Sequence, residues 1–255
     1  MIAAVTAALP MMVPLFGGEL PNSRHDVIAP QPLRLQSSEQ LLVVTSADWA
    51  AVSARLRCLE RATSDAEWQE VQTVPEVVLG RSGLGWGLGL HGEPPAGQPR
   101  KREGDGKAPA GVFRLTEAFG YLPAAEAAIT KFPYRHLTET TEGVDDPASR
   151  FYNRLVDSST VETKDWRSSE RMRQSGGAYR WGVVVAHNSD QVPNAGSCIF
   201  LHVWQGPGIA TSGCTAMPAD QMEKVIRWLD AAKNPILVQL PRETYDAVRE
   251  RWRLP

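Results

Sequence analysis

The residues best suited to covalent chemistry in this chain are His202 and Cys214, twelve positions apart in the run FLHVWQGPGIATSGCTAM, residues 200–217. A cysteine attacks a carbonyl carbon as the thiolate, so it needs a base within reach and a turn that presents it. His202 ends an apolar run that reads as a buried strand, which predicts an imidazole leaving the sheet where the backbone is rigid. Cys214 follows Ser212-Gly213 in a predicted tight turn, with the Gly213 and Cys214 N–H groups as candidate oxyanion donors and Ser212 fixing the turn or touching substrate. This is the equipment of acyl transfer. The competing reading is a buried thiol near a chance base, because free cysteine is among the most buried residue types. If His202 is the base, its other ring nitrogen needs an orienting acceptor. No Asp, Glu or Asn adjoins the motif, so a backbone carbonyl near Val203 is expected.

These residues must be held by a framework of strands. LLVVTSADW, SARLRCLERA, WQEVQTV and PEVVLGRSG, beginning at Leu41, are short runs with β-branched or alternating apolar residues between polar breaks. They predict successive antiparallel strands and a mainly β core rather than a doubly wound α/β sheet. Glycine dominates from Arg81 to Phe119, but no GxxxxGK[ST] or GxGxxG lies in a strand-to-helix context, so phosphate binding is rejected in favour of sharp turns feeding Val112–Leu115 into the sheet. Residues 123–180 carry few strand signals and many polar residues, as expected of a long insertion walling a cleft. Strands are predicted again over Trp181–Ala186 and Cys198–Val203, a helix over Ala219–Ala232 from Met222, Val225, Ile226 and Leu229, and a final strand over Ile236–Leu240.

Composition removes several classes of function. With 42% hydrophobic residues the chain has ample material for a core, and a net charge of −2 supplies no basic face for nucleic acid or an anionic membrane. Three cysteines, Cys58, Cys198 and Cys214, are too few and too scattered for a disulfide framework or CxxC zinc site. A Cys58–Cys198 bridge, which would leave Cys214 unpaired, stays open. The five histidines lack metal-ligand spacing, so no metal is expected. The first eighteen residues are uncharged like the apolar core of a secretion signal, yet no Lys or Arg precedes Arg24, and Pro10 and Pro14 interrupt the stretch. Residues 1–38 are therefore expected to be an atypical or truncated leader plus a linker, with no stable membrane insertion, and 39–255 a single catalytic domain.

Three segments in order, KREGDGKAPAGVFRL (101–115), SCIFLHVW (197–204) and TSGCTAM (211–217), resemble the L,D-transpeptidase catalytic domain family, also called YkuD. They are similar to its GDGxTPxGxF segment, its catalytic-histidine strand and its S-x-G-C turn, and the resemblance covers roughly Glu39 to the C-terminus. It implies a YkuD-like β-sandwich with a helix after the catalytic cysteine, no cofactor, and cross-linking of peptidoglycan stem peptides in the periplasm or cell envelope. By resemblance, Cys214 attacks the carbonyl of the third stem residue, releases the terminal D-alanine and leaves a thioester, which an amine of a neighbouring stem resolves. Water would instead give trimming.

The turn departs from the common S-H-G-C pattern, since Gly213 stands where many members have a second histidine and Ala216 where they have Asn or Arg. Recognition of the substrate carboxylate is thus left to other residues. Arg154, Arg102 and Lys107 are candidates because cations suit carboxylates. Thr215 and Val203 flank the dyad as further candidate substrate contacts, and His187 could line the cleft, although a single loop histidine more often sits in a turn or on the surface. Cys198 reads as core, and Trp49, Trp86, Trp181 and Trp204 as packing. The rival functions are an L,D-carboxypeptidase or amidase using the same acyl-enzyme, and a noncatalytic wall-binding domain.

Overall fold

The computed structural model describes residues 35, 37–127, 130–173 and 176–255. The expected leader and most of the linker lie outside the described residues. In chain order the elements are β1 (Gln40–Ser46), β2 (Ser53–Glu60), β3 (Gln69–Val78), β4 (Leu84–Trp86), β5 (Ala108–Gly120), β6 (Tyr134–His136), β7 (Thr141–Val144), β8 (Arg154–Asp157), β9 (Ser169–Arg171), β10 (Trp181–Val185), β11 (Phe200–Val203), β12 (Thr215–Met217), α1 (Ala219–Trp228), β13 (Ile236–Pro241) and α2 (Arg242–Val248). The main sheet runs β10-β11-β12-β3-β2-β1-β13-β5-β4. Pairing of β5 with β10 then joins the sheet to itself in a barrel- or sandwich-like arrangement, so the mainly β expectation holds.

Burial explains why some strands were easier to read than others. β1 and β13 pair in parallel and are buried at every position, which is why both read as continuous apolar runs. β2 alternates at its start, as a half-solvated strand should. The expected antiparallel pairing of the successive early runs holds for β1 with β2 and β2 with β3, whereas β1–β13, β4–β5, β5–β6 and β11–β12 are parallel. The two runs separated at Pro75 are one strand, β3. Its register against β2 shifts between Ala54 and Leu56, and this irregularity takes up Pro75-Glu76 without breaking the strand.

The helix after Cys214 is present but ends at Trp228, because Leu229 takes extended angles. It packs on β10 and β11 through Met222, Val225 and Ile226, whereas α2, which carries no sequence expectation, packs on β13 and β1. Residues 123–180 contain more order than their polar composition suggested. They supply β6 and a separate antiparallel sheet ordered β8-β7-β9. Glu142 on β7 ties this sheet down, accepting from Trp166 Nε1 at 2.7 Å, Lys164 Nζ at 3.1 Å and Ser169 Oγ. Burial opposes its charge, but these donors prevail and hold the carboxyl down at about 2.

Two apolar clusters form among the described residues. The larger fills the main sheet and its helices. The smaller comprises Phe119, Leu137, Met172, Tyr179, Phe200 and Cys214, so Leu137, Met172 and Tyr179 from residues 123–180 pack over the sheet beside the candidate nucleophile.

Candidate active site

Strand register places His202 and Cys214 on one face. β11 and β12 pair in parallel with His202 opposite Ala216, and Cys214 lies two residues before Ala216. Side chains alternate along a strand, so His202, Phe200, Ala216 and Cys214 share a side, while Leu201, Val203, Thr215 and Met217 point to the other. Leu201, Val203 and Met217 join the main core, and Cys214 and Phe200 the smaller cluster. His202 and Cys214 are each 8% exposed, accessible only at an edge.

The imidazole is held by backbone. His202 Nδ1 donates to the Val203 carbonyl at 2.8 Å, and Tyr179 meets the ring edge-on with centroids 5.1 Å apart. Burial lowers the His202 pKa, against the carbonyls of Val203 and Ala178, which favour the protonated ring. Cys214 is also buried, and its thiol is pushed up to about 12, first by desolvation and then by the charge of Glu170; the Phe200 N–H and Lys101 act in the opposite direction. Desolvation thus disfavours the charged form of both groups, and the resting pair is a thiol and a neutral imidazole. Cys214 Sγ accepts from the Phe200 N–H at 3.3 Å and donates to the Cys198 carbonyl at 3.5 Å. The thiol is therefore turned to β11 backbone rather than hydrogen-bonded to His202, a loose arrangement common in active sites without substrate.

The turn that carries Cys214 is braced from within and from behind. Thr211 Oγ1 accepts from the Gly213 N–H at 3.1 Å and donates to the Cys214 carbonyl at 2.7 Å. The Gly213 N–H, an expected oxyanion donor, is engaged by Thr211, and it is Thr211 rather than Ser212 that fixes the turn, with Ser212 exposed. The Cys214 N–H donates to none of the described residues. Gly213 has φ +156, and a Cβ there would stand 3.1 Å from the Lys107 carbonyl. The glycine thus admits the 101–107 loop directly behind the turn. Asp105 shapes that loop, accepting from Lys101 Nζ and the Arg102 N–H at 2.7 Å each and from the Lys107 N–H at 2.9 Å. The GDG segment is a backing wall.

A second buttress holds the approach to β11. Asn153, at φ +61, donates through Nδ2 to the His187 and Asn188 carbonyls, both at 2.9 Å, and accepts from the Cys198 N–H at 2.9 Å. Cys198 is thereby held at φ +53, with its carbonyl facing Cys214. Glu103 accepts from Tyr152 Oη and from Ser197 Oγ at 2.8 Å, joining the 101–107 loop to the same segment.

The remaining expected contacts scatter. Thr215 faces the interior and donates to Gln239 Oε1 at 2.7 Å; it alternates away from Cys214 and lines no cleft. The Val203 side chain is core, and only its carbonyl reaches the site. His187 is neither in the cleft nor on the surface but 2% exposed, accepting from the Leu88 N–H at 3.1 Å and donating to the Ala195 carbonyl at 3.0 Å, with burial lowering its pKa to about 4. Arg154 is exposed on β8 and donates to Gln191 at 3.0 Å, Lys107 donates to the Ser82 carbonyl at 3.0 Å, and Arg102 is exposed. All three cysteines are free, so Cys58 and Cys198 are not bridged. Among the described residues, no group of three or more His, Cys, Asp or Glu side chains could hold a metal ion, and no helix is long and apolar enough to cross a membrane.

Sequence reading missed Thr211, Asp105, Asn153, Glu170 and Tyr179. Thr211 had a detectable signal as a hydroxyl two residues before a turn glycine. Asp105 acts within its own loop, on Lys101, Arg102 and Lys107, whereas Asn153, Glu170 and Tyr179 act through contacts more distant in sequence.

The family model of the L,D-transpeptidase catalytic domain, YkuD, matches residues 60–238, well over half of the chain, and the protein belongs to this family. The match begins on β2, ends in β13 and includes both His202 and Cys214. No curated protein and no solved structure matches the chain. The family acts on peptidoglycan peptides.

Proposed function

We propose that this protein is a cysteine L,D-transpeptidase that cross-links peptidoglycan stem peptides in the cell envelope through a thioester on Cys214. The observation that carries the reading is the β11–β12 register, which sets Cys214 and His202 on one face while the Val203 carbonyl fixes the imidazole. With Nδ1–H donated to Val203, Nε2 is the basic nitrogen of the neutral ring.

Substrate entry displaces water from the edge of the site, and His202 Nε2 takes the Cys214 proton as sulfur attacks the carbonyl of the third stem residue. The Phe200 N–H, which donates to Cys214 Sγ, supports the thiolate, and the Cys214 N–H meets the oxyanion. Collapse passes the His202 proton to the departing D-alanine amine and leaves the thioester. An incoming amine reverses these steps, releasing the cross-linked peptide and restoring the thiol. Intact-protein mass spectrometry with a tetrapeptide muropeptide tests this. The expected result is an adduct of the tripeptide acyl group on Cys214 followed by dimeric product, and absence of both contradicts it.

A further inference from the structure

Glu170 and Tyr179 form a titratable pair beside the dyad that the acylation half of the reaction does not use. Tyr179 is 5% exposed, packs edge-on against His202, and donates its hydroxyl to Glu170 Oε1. Glu170 lies on β9 opposite Gly143 of β7. Cross-strand partners share a face, and a Cβ on Gly143 would stand 3.1 Å from Cys198 Sγ and 3.3 Å from Met172 Sδ. The Glu170 side chain therefore leaves β9 on the face turned toward Cys198 and the smaller cluster. The missing side chain at 143 lets Cys198 and Met172 pack directly against β7.

A carboxylate here is a handicap for a thiol nucleophile, since its charge is among the causes that hold Cys214 protonated. A charge that works against the first half-reaction calls for a use in the second. Once the thioester has formed there is no thiolate to repel. The attacking group is then an amine, which arrives as an ammonium at neutral pH because an alkylamine titrates near pH ~10. We infer that Glu170, oriented by Tyr179, binds the ammonium of the acyl acceptor and takes its proton, so that the site selects amines over water.

This rests on the transpeptidase reading, whose acceptor is already an amine, and assigns the residue that receives it. The step balances. The acceptor ammonium gives one proton to the Glu170 carboxylate, and its lone pair attacks the thioester carbonyl. The new ammonium-like nitrogen gives a second proton to His202, and collapse breaks the C–S bond. His202 then protonates the leaving thiolate, and Glu170 returns its proton to solvent. Burial, together with nearby Asp145, raises the Glu170 pKa against the opposing Tyr179 hydrogen bond, which suits a base in this role. The other charged group bearing on Cys214 is Lys101, held by Asp105 and the Arg102 carbonyl.

The test uses Glu170→Gln, which keeps an acceptor for Tyr179, and Tyr179→Phe, which keeps the ring on His202. Full-length protein is acylated with a tetrapeptide donor, and the acyl-enzyme is partitioned between an amine acceptor and water. Glu170→Gln is expected to lower the ratio of amide to hydrolysed product about tenfold or more, and Tyr179→Phe to lower it by a smaller factor. In a separate arm, iodoacetamide alkylation of Cys214 is followed against pH, and its midpoint should move to lower pH in Glu170→Gln. An unchanged ratio, equal losses of both products, or a ratio that rises because the carboxylate had served water would each overturn the inference. A wild-type protein that forms no thioester overturns the transpeptidase reading itself, a result distinct from any change in ratio.

Discussion

The two faces of β11 and β12 carry opposite duties. The inner face offers Leu201, Val203 and Met217 to the main core and satisfies its polar group, Thr215, through Gln239, whose Nε2 donates in turn to the Pro109 carbonyl at 2.9 Å. The outer face holds Cys214 and His202 with almost the same exclusion of water, yet the thiol has only weak backbone partners and both groups are pushed toward neutrality. Burial alone therefore does not separate structure from function here. The inner face pairs its hydrogen-bonding groups with one another, and the outer face ties its thiol and its imidazole separately to backbone.

The strongest way to break this comparison is to remove the thiol. Cys214→Ala should abolish adduct and product, a loss of about 10⁴-fold or more. The folded state should survive, as judged by an unchanged circular dichroism spectrum, because the lost volume lies at an edge of the smaller cluster. His202→Ala should slow Cys214 acylation by about 10²–10⁴-fold, read by stopped-flow mass spectrometry. Retention of the full rate would remove His202 from the mechanism.

Thr211→Val sharpens the contrast by freeing the Gly213 N–H and the Cys214 carbonyl. A misplaced nucleophile should cost up to ~10²-fold in acylation. Thr215→Val does the reverse on the inner face. It strands Gln239 Oε1, and chemical denaturation should show about 1–3 kcal/mol of lost stability, with acylation affected far less than in Thr211→Val. If the two variants exchanged these phenotypes, the assignment of faces would be wrong.

A further expected effect is on the pH dependence of stability. Burial depresses the His187 pKa in the folded state from 6.5 to about 4, so between these values the unfolded chain binds the extra proton. The contribution is complete above pH 6.5 and is lost as pH falls through 4. Melting curves should show this slope, worth a few kcal/mol at most, and His187→Gln should flatten it. Glu142, held at about 2 against an ordinary 4.5, adds a similar loss over a more acidic range.

Much of this was legible in the chain. β1, β10 and β13 announced themselves because they are buried at nearly every position, only Val112–Leu115 of β5 did so, and the candidate pair stood out because His202 ends an apolar strand and Cys214 follows a turn glycine. The strands of residues 123–180 did not, since β6 to β9 are three or four residues long and owe their pairing to side-chain ties such as Glu142 with Trp166 and Lys164. His187 was misread for the same reason. Nothing local says that a loop histidine will be buried between the backbone groups of Leu88 and Ala195. Thr215 was misjudged by proximity in sequence, where strand alternation decides which neighbour of a nucleophile faces the substrate.

The central claim is that Cys214 carries the acyl group and His202 moves its proton. Intact-protein and peptide-mapping mass spectrometry after mixing wild-type protein with a tetrapeptide muropeptide tests it most directly. The account predicts a single hydroxylamine-labile acyl adduct mapped to Cys214, absent in Cys214→Ala and slow to form in His202→Ala. An adduct on Cys58 or Cys198, or product formation without any adduct on Cys214, would contradict it.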